Sequence, residues 1–395
     1  MTNIKPVVFF VTTIYPPSKG GGAFTRYQQV QHLLENGFKV CVLTKSKSLQ
    51  SDLGFSQAII GLRYTFIARL LAKIRVIPDV SFFWAKAVAD YILSNAKKGD
   101  VVFVTTGGEL SLALIGYYLK KKNFTEKIIL NLHDFPDHSV YLDSSPLKKR
   151  GALYQYLECK AFSNVDLILC NSRKMIALIN QKYPKLISPK DYFYFGFEGC
   201  INPQKKINAN KEGLINIVSI GTMGFLQSPD FLINVVAENP YFFEKFKIFF
   251  IGSKEGDKKY PTDLIEYLGY MNRESLAYYA QNHADIALLS LIDKPIFMSA
   301  MPTKFYEYVN LGIPILATVP MECEVGDLIQ KYGIGWVVRH GDIQSLKSVL
   351  LRLISNPQEI IEAREKILEH RQIFDRKITQ KRMVTSINNL LGESV

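Results

Sequence analysis

Hydrophobic and polar positions follow two rhythms along the chain. Solid runs of apolar, β-branched and aromatic residues stand at Val7–Thr13, Val40–Thr44, Val101–Thr105, Lys127–Leu132 and Asp166–Cys170. Such runs read as strands buried on both faces. Between them Ala23–Glu35, Phe83–Asn95, Leu110–Lys121 and Leu153–Phe162 carry helical spacing. Gly37 stops the first of these, as a glycine just past a helix end does. A polar stretch, Ile201–Gly213, rich in lysine and asparagine and containing Pro203, reads as a linker. A second series follows it. Its strands are expected at Ile215–Ile220, Lys247–Ile251, Ile286–Leu289 and Ile313–Ala317, and its helices at Asp230–Ala237, Glu274–Gln281, Thr303–Leu311 and Ile343–Ile354. The tail Ile378–Leu391 reads as a final helix. The alternation predicts an α/β chain of two doubly wound parallel sheets with helices on both faces. In such folds ligands bind outside the carboxyl ends of the strands, here in a cleft expected between the two sheets.

Composition narrows the class. A chain of 395 residues, 48% hydrophobic and 21% charged, suits two or more globular domains rather than disorder. Val7–Val11 is too short to span a bilayer and lacks the flanks of a signal peptide, and no run reaches the roughly 18 apolar residues of a membrane span. The five cysteines are scattered, with no Cys-x-x-Cys pair, so the expected compartment is cytoplasmic and neither a disulfide framework nor a zinc site is expected. The net charge of +12 suits anionic partners, or solubility alone. Basic residues gather at Arg63–Arg75, Lys120–Lys122 and Lys148–Arg150. In the first of these, Leu62, Phe66, Ile67, Leu70, Leu71 and Ile74 alternate with Arg63, Arg69, Lys73 and Arg75. That spacing fits a helix lying on an anionic membrane surface, peripheral at the cytoplasmic face of the inner membrane, or one packed against its own domain. No nucleic-acid-binding module accompanies the charge.

The candidate chemistry lies in two places. Ser18-Lys19-Gly20-Gly21-Gly22 follows the first strand and opens the first helix, where free N–H groups and absent side chains let a backbone approach an anion; a flexible turn is the plainer reading. Neither G-x-G-x-x-G nor the P-loop pattern is complete, which disfavours a dinucleotide dehydrogenase or a P-loop enzyme. No Asp-x-Asp pair is present to hold a divalent metal. The second place is Met301–Thr318, a helix followed by a strand. Pro302 suits the first helical turn, Gly312 the position after the end, and Pro314 blocks continuation. Tyr306 stands where a capping box would need an acid, so capping does not account for Glu307.

That stretch, Pro302-Thr303-Lys304 through Glu307-Tyr308 to Gly312-Ile313-Pro314, resembles the nucleotide-sugar-binding signature of family 4 glycosyltransferases. The similarity continues through Glu324–Leu328, Gly333–Val338 and Gly341-Asp342. It also takes in Leu268–Met271, Glu274–Leu276, Ala284–Leu289 and Gly221–Gly224. In the first half it covers Tyr15-Pro16-Pro17, Gly20–Gly22, Arg26, Asn131–Asp134, Tyr156–Glu158 and Val165-Asp166 through Asn171-Ser172. The resemblance implies the GT-B fold, two Rossmann-like doubly wound domains facing across a cleft. It places an acceptor-side domain at 1–203, joined by a C-terminal helix at 376–395, and a nucleotide-sugar domain at 204–375. It implies a nucleoside-diphosphate-sugar donor, retention at the anomeric carbon, and no metal or other cofactor. Glu307 would accept from ribose hydroxyls. Pro302, Thr303 and Lys304 would present a helix N-terminus to the diphosphate, with Gly21 and Gly22, beside Gly20, approaching from the other domain. Gly221 and Thr222 belong to the donor loop, and Tyr270 and Met271 would lie near the base. His133 and Asp134, at a strand end, are the catalytic candidates beside the transferred sugar, although an ordinary strand-end histidine is also compatible.

Three departures stand out. Ser299 occupies the donor-site position where the family often has an acid. The loop Gly221–Ser228 lacks the usual Arg and Lys, so Lys254, Lys304 or Arg273 would have to hold the diphosphate. The hinge text appears as Phe195-Gly196-Phe197-Glu198. The expected activity is transfer of a sugar to a glycan acceptor, lipid-linked as acceptors of such enzymes often are, in capsule, lipopolysaccharide or other surface-polysaccharide biosynthesis. The alternatives are a non-catalytic nucleotide-sugar-binding subunit and a nucleotide-sugar 2-epimerase.

Overall fold

The computed structural model describes residues 6–18, 21–45, 55–61, 65–74, 76–136, 151–199, 213–221, 227–252 and 263–392. The chain divides into two compact units, Met1–Phe195 with Thr379–Val395, and Gly196–Ile378. The expected linker, apart from Gly213, lies outside the described residues, as do Leu62, Arg63, Arg75 and Lys148–Arg150.

In the first unit the strands are β1 (Val7–Val11), β2 (Lys39–Thr44), β3 (Ser56–Ile59), β4 (Val101–Thr106), β5 (Lys127–Leu132), β6 (Leu167–Cys170) and β7 (Lys190–Tyr192). The helices are α1 (Gly21–Glu35), α2 (Thr65–Lys73), α3 (Phe82–Asn95), α4 (Leu110–Ala113), α5 (Ile115–Lys120), α6 (Gly151–Ser163) and α7 (Arg173–Lys182). The strands form one sheet in the order β3-β2-β1-β4-β5-β6-β7, parallel throughout. The solid apolar runs are explained by burial, since all six residues of β4 are buried. One face packs Phe9, Val11, Val102, Val104 and Leu130 against Trp84 and Val88 of α3 and Phe162 of α6. The stretch expected as a single helix over Leu110–Lys121 is two short ones that meet at Leu114. Gly116 lies so close to the turn after α6 that an added Cβ would stand 2.7 Å from the Asn164 carbonyl oxygen.

In the second unit the strands are β8 (Ile215–Ile220), β9 (Phe246–Ile251), β10 (Ile265–Gly269), β11 (Ile286–Ser290), β12 (Ile315–Val319) and β13 (Gly335–Arg339). The helices are α8 (Asp230–Ala237), α9 (Pro240–Lys245), α10 (Arg273–His283), α11 (Thr303–Leu311), α12 (Glu324–Tyr332), α13 (Ile343–Ser355), α14 (Gln358–His370) and α15 (Arg376–Thr379). The last helix, α16 (Lys381–Leu391), belongs to the first unit. This sheet runs β10-β9-β8-β11-β12-β13, again parallel. Its core packs Ile217, Ile248, Leu288 and Leu316 against Val236, Leu350 and Ile360. The strand expected at Ile313–Ala317 begins two residues later, beyond Pro314.

Three aspartates set the strands in register. Asp100, just before β4, accepts from the Val7 amide at 3.1 Å; Asp166, before β6, from the Ile128 amide at 2.8 Å; Asp285, before β11, from the Asn216 amide at 2.8 Å. Each carboxylate thus satisfies an amide at the start of a neighbouring strand, where no ladder partner precedes it. Asp166 and Asp285, part of the sequence resemblance, are in this way structural. In both sheets the chain winds outward from a central pair, β1 with β4 and β8 with β11. The crevice outside the carboxyl ends of such a pair is where doubly wound sheets bind ligands.

Candidate active site

In the second unit this switch point is bounded by Gly221, just after β8, and by α11. Gly221 has φ 94°, which suits glycine, and its amide donates to the Ile251 carbonyl at 2.8 Å. The helix α11 is buried almost all round, at Phe305, Tyr306 and the four residues Tyr308–Leu311. Lys304 and Glu307, one turn apart and so on one face, are only half-buried. Tyr308 locks the helix in place: its hydroxyl donates to the Leu288 carbonyl at 2.9 Å and accepts from the Ile220 amide at 3.1 Å, tying it to both central strands. Pro302 stands as the N-cap rather than inside the first turn, and Gly312 ends the helix in the left-handed conformation at φ 71°. Lys304 passes directly over Gly221, where an added Cβ would lie 3.1 Å from its Cε. Burial pushes the Lys304 ammonium down to about 8. Burial also raises the Glu307 carboxyl, against the pull of Arg273. An ammonium beside the start of a nine-residue helix suits an anion such as a diphosphate. A carboxylate one turn further along suits neighbouring hydroxyls.

The first unit gathers a different set at its own switch point. Gln29 of α1 and Asn131 of β5 are fully buried, and the Asn131 amide donates to the Leu169 carbonyl at 3.1 Å, which orients it. Its oxygen accepts from Gln29 at 2.9 Å and lies 3.1 Å from Nε2 of His133. An amide oxygen carries no proton, so that histidine nitrogen is the donor and Nδ1 is left as the acceptor. Burial, with Arg26 adding, holds His133 well below its ordinary pKa and therefore neutral; its ring lies tilted against Phe195 at 4.3 Å between centroids. Asp134, next along, is exposed, yet the surrounding protein pushes its carboxyl up to about 6, with Arg26 opposing and Glu109 adding. Glu109, at the end of the loop after β4, accepts from Thr13 at 2.5 Å, Thr106 at 3.1 Å and the Gly107 amide at 2.9 Å. Burial raises the Glu109 carboxyl, but these hydrogen bonds and Arg26 outweigh it, so the net shift is downward and Glu109 is ionised.

The glycosyl transferases group 1 family matches residues 201–372, which take in the whole of the Lys304–Glu307 site. The match covers less than half of the chain, and within it the similarity is to this family's members. Two curated relatives are similar to this chain. A probable glycosyltransferase of Pseudomonas aeruginosa, WbjE, is 26% identical over 266 residues, 62% of this chain and 64% of that protein. The amylovoran biosynthesis glycosyltransferase AmsK of Erwinia amylovora is 28% identical over 100 residues, 25% of this chain and 24% of that protein. The aligned part thus spans less than two thirds of either relative. The solved structure of HepE from Anabaena in complex with UDP superposes with a TM-score of 0.66 at 12% identity, over 97% of this chain and 100% of that one. The fold is GT-B.

Within the chain the expected site residues are not all alike. Lys304, Glu307, Pro302, Thr303 and Gly221 come together around α11. Tyr270 is exposed and Met271 half-buried just before α10, whose start Asn272 caps by accepting from the Ser275 amide at 2.8 Å. Ser299 is buried at the end of a short 3-10 helix, Pro295–Ser299, and does not face solvent. Gly21 and Gly22 are exposed at the start of α1. Gly20, Thr222 and Lys254 lie outside the described residues. Among the described residues no three His, Cys, Asp or Glu side chains gather as a metal site would need. Sequence reasoning passed over Thr13, Gly107 and Glu109, and singled out Arg26 only as part of a motif. The available signal was Thr105-Thr106-Gly107-Gly108-Glu109, polar text directly after a buried strand next to the switch point.

Proposed function

We propose that the protein transfers a glycosyl group from a nucleoside diphosphate sugar to a glycan acceptor, with retention at the anomeric carbon. The observation that carries this reading is the polar pair Lys304–Glu307 on a helix that buries six of its nine residues, with Lys304 lying over Gly221 at a sheet switch point. The second unit, expected at 204–375, takes the donor: the N-terminus of α11 and Lys304 meet the diphosphate, and Glu307 accepts from the ribose hydroxyls. The first unit, 1–203 with 376–395, takes the acceptor. His133 offers Nδ1 to a hydroxyl of the transferred sugar, and Asp134 is a second acceptor at the same strand end. The chemical step then draws on charge stabilisation of the departing diphosphate and on orientation of the acceptor. The UDP bound to HepE supports a uridine nucleotide as the first donor base to try, and the role of AmsK in amylovoran biosynthesis supports a polysaccharide acceptor.

Calorimetry with UDP and GDP, followed by a nucleotide-sugar panel with acceptor lipid extract, tests the assignment. Glu307→Gln removes a charged acceptor, which corresponds to about 10- to 100-fold weaker nucleotide binding. Unchanged affinity in that variant would falsify the donor site. Ser299, buried where the family often has an acid, favours a second reading: a subunit that binds nucleotide sugar without turning it over. Tight binding with no UDP or GDP release from any donor would select it.

The acceptor's setting is proposed to be a membrane face. Among the described residues no helix is long and apolar enough to cross a membrane. Helix α2 instead buries only Ala68 and turns Phe66, Ile67 and Leu70 outward, with Ile74 just beyond its end, at 79, 47, 51 and 49% exposure. Arg69 and Lys73 lie beside this stripe, an arrangement suited to the plane of an anionic lipid surface.

A further inference from the structure

Gly107 stands immediately after β4, one of the two central strands of the first sheet, and is exposed. Its φ lies outside the left-handed region, unlike that of Gly108 at 102°, so its backbone does not demand glycine. What the missing side chain leaves is the space above. An added Cβ would lie 3.2 Å from Nη2 of Arg26, 3.7 Å from Oδ2 of Asp134 and 3.8 Å from Oε2 of Glu109. Three charged groups, from α1, from the end of β5 and from the loop after β4, thus converge on one spot kept open by a missing side chain.

The groups are held there. Arg26 is 2% exposed, its Nη1 donates to the Gly22 carbonyl at 2.9 Å, and its Nε has no hydrogen-bond partner among the described residues. Glu109 is fixed by Thr13, Thr106 and the Gly107 amide. Asp134 alone is exposed. One guanidinium and two carboxylates leave the spot with net negative charge, which repels phosphate. They offer donors and acceptors side by side, which suits a neutral group able to give and take hydrogen bonds at once.

We propose that Gly107 is the floor of a binding site for neighbouring hydroxyls of a neutral sugar, with Arg26 donating from one side and Asp134 accepting on the other. Glu109 is the positioning residue that braces the floor. Resting on the proposed glycosyl transfer, the bound sugar is the terminal residue of the acceptor glycan. The site is built by the first unit and Lys304–Glu307 by the second, so the two assignments are tested independently.

The test uses the full chain and a panel of methyl glycosides of glucose, galactose, mannose, rhamnose and N-acetylglucosamine. Saturation-transfer NMR reads glycoside binding, and calorimetry with UDP reads the donor site. At least one glycoside is expected to bind. Gly107→Ala, which puts a methyl group on the floor, is expected to weaken it about tenfold or more, with the thermal midpoint and UDP affinity kept. Should that variant fail to fold, Asp134→Asn replaces it with the same expected loss. Binding is expected to fall as pH drops through about 6, where Asp134, facing Arg26 and Glu109 with His133 beside it, takes up a proton. Glu109→Gln removes a negative neighbour and is expected to move that midpoint to lower pH, a shift that mere structural damage would not produce. Absence of glycoside binding in the wild type, or equal binding in Gly107→Ala, overturns the proposal. Loss of UDP binding in the wild type counts against the donor site alone.

Discussion

Lys304 is held in an environment that disfavours its charge, and burial alone brings it down to about 8. A desolvated ammonium that is still charged below about pH 8 is costly to the fold, and the proposed diphosphate would supply the counter-charge that burial denies it. UDP affinity is therefore expected to be level up to about pH 8 and to decline above it, measured by calorimetry across pH. Between about 8 and the ordinary lysine value the unfolded chain holds more protons at this residue than the folded one, so this group makes folding more favourable as pH rises through that window. Lys304→Met is accordingly expected to keep or raise the thermal midpoint while weakening UDP binding by about 10-fold or more. A fall in both would show that Lys304 is structural. The proposed donor residues were legible because they sit in one continuous stretch, Pro302–Gly312, where capping rules leave Glu307 unexplained. Arg26, Gly107 and Glu109 were not, because they meet only through the adjacency of β1, β4 and β5. The Thr13–Glu109 bond, for one, joins residues 96 positions apart.

Elements with a strong period were readable to within a few residues. β5 and β8 begin and end where the apolar runs do, and α11 where its terminators stand. The misses have physical causes. Strand β7 is three residues, too short to show a period, and β10 carries an irregular register at its end. The Leu110–Lys121 pattern is continuous in hydrophobicity, yet the helix is interrupted at Leu114 without a proline to announce it. Helix α2 is the element whose pattern said most. Its spacing allowed either a membrane surface or packing against its own domain, and the outward Phe66 and Leu70 favour the former. Phe66→Ser with Leu70→Ser is expected to leave the thermal midpoint within about 2 °C, because exposed side chains contribute little to stability. The same change is expected to abolish flotation with vesicles containing phosphatidylglycerol. Wild-type chain that does not float at low salt would rule the membrane role out.

On the scale of the molecule, both sheets share the order 3-2-1-4-5-6 in their own numbering, and each places its polar cluster at the same topological point. A basic chain of net charge +12 is consistent with a diphosphate donor and an anionic surface, but the charge alone chose neither. The first unit is completed by α16, which buries Met383, Val384 and Ile387. It is also pinned to β7, with Ser386 donating to Asp191 at 2.6 Å and Arg382 pairing with the same carboxylate at 2.5 Å. Gln380 donates to the Phe195 carbonyl at 3.0 Å, closing the joint. A chain cut after Ile378 is expected to lose cooperative melting of the first unit and to aggregate, as differential scanning calorimetry and gel filtration would show; two intact transitions would refute this. During synthesis the ribosome therefore releases an insertion, residues 196–378, before the segment that finishes the body it interrupts. The first unit must wait with its β7 edge uncovered while the second one folds, which makes this edge the place where a chaperone would be needed.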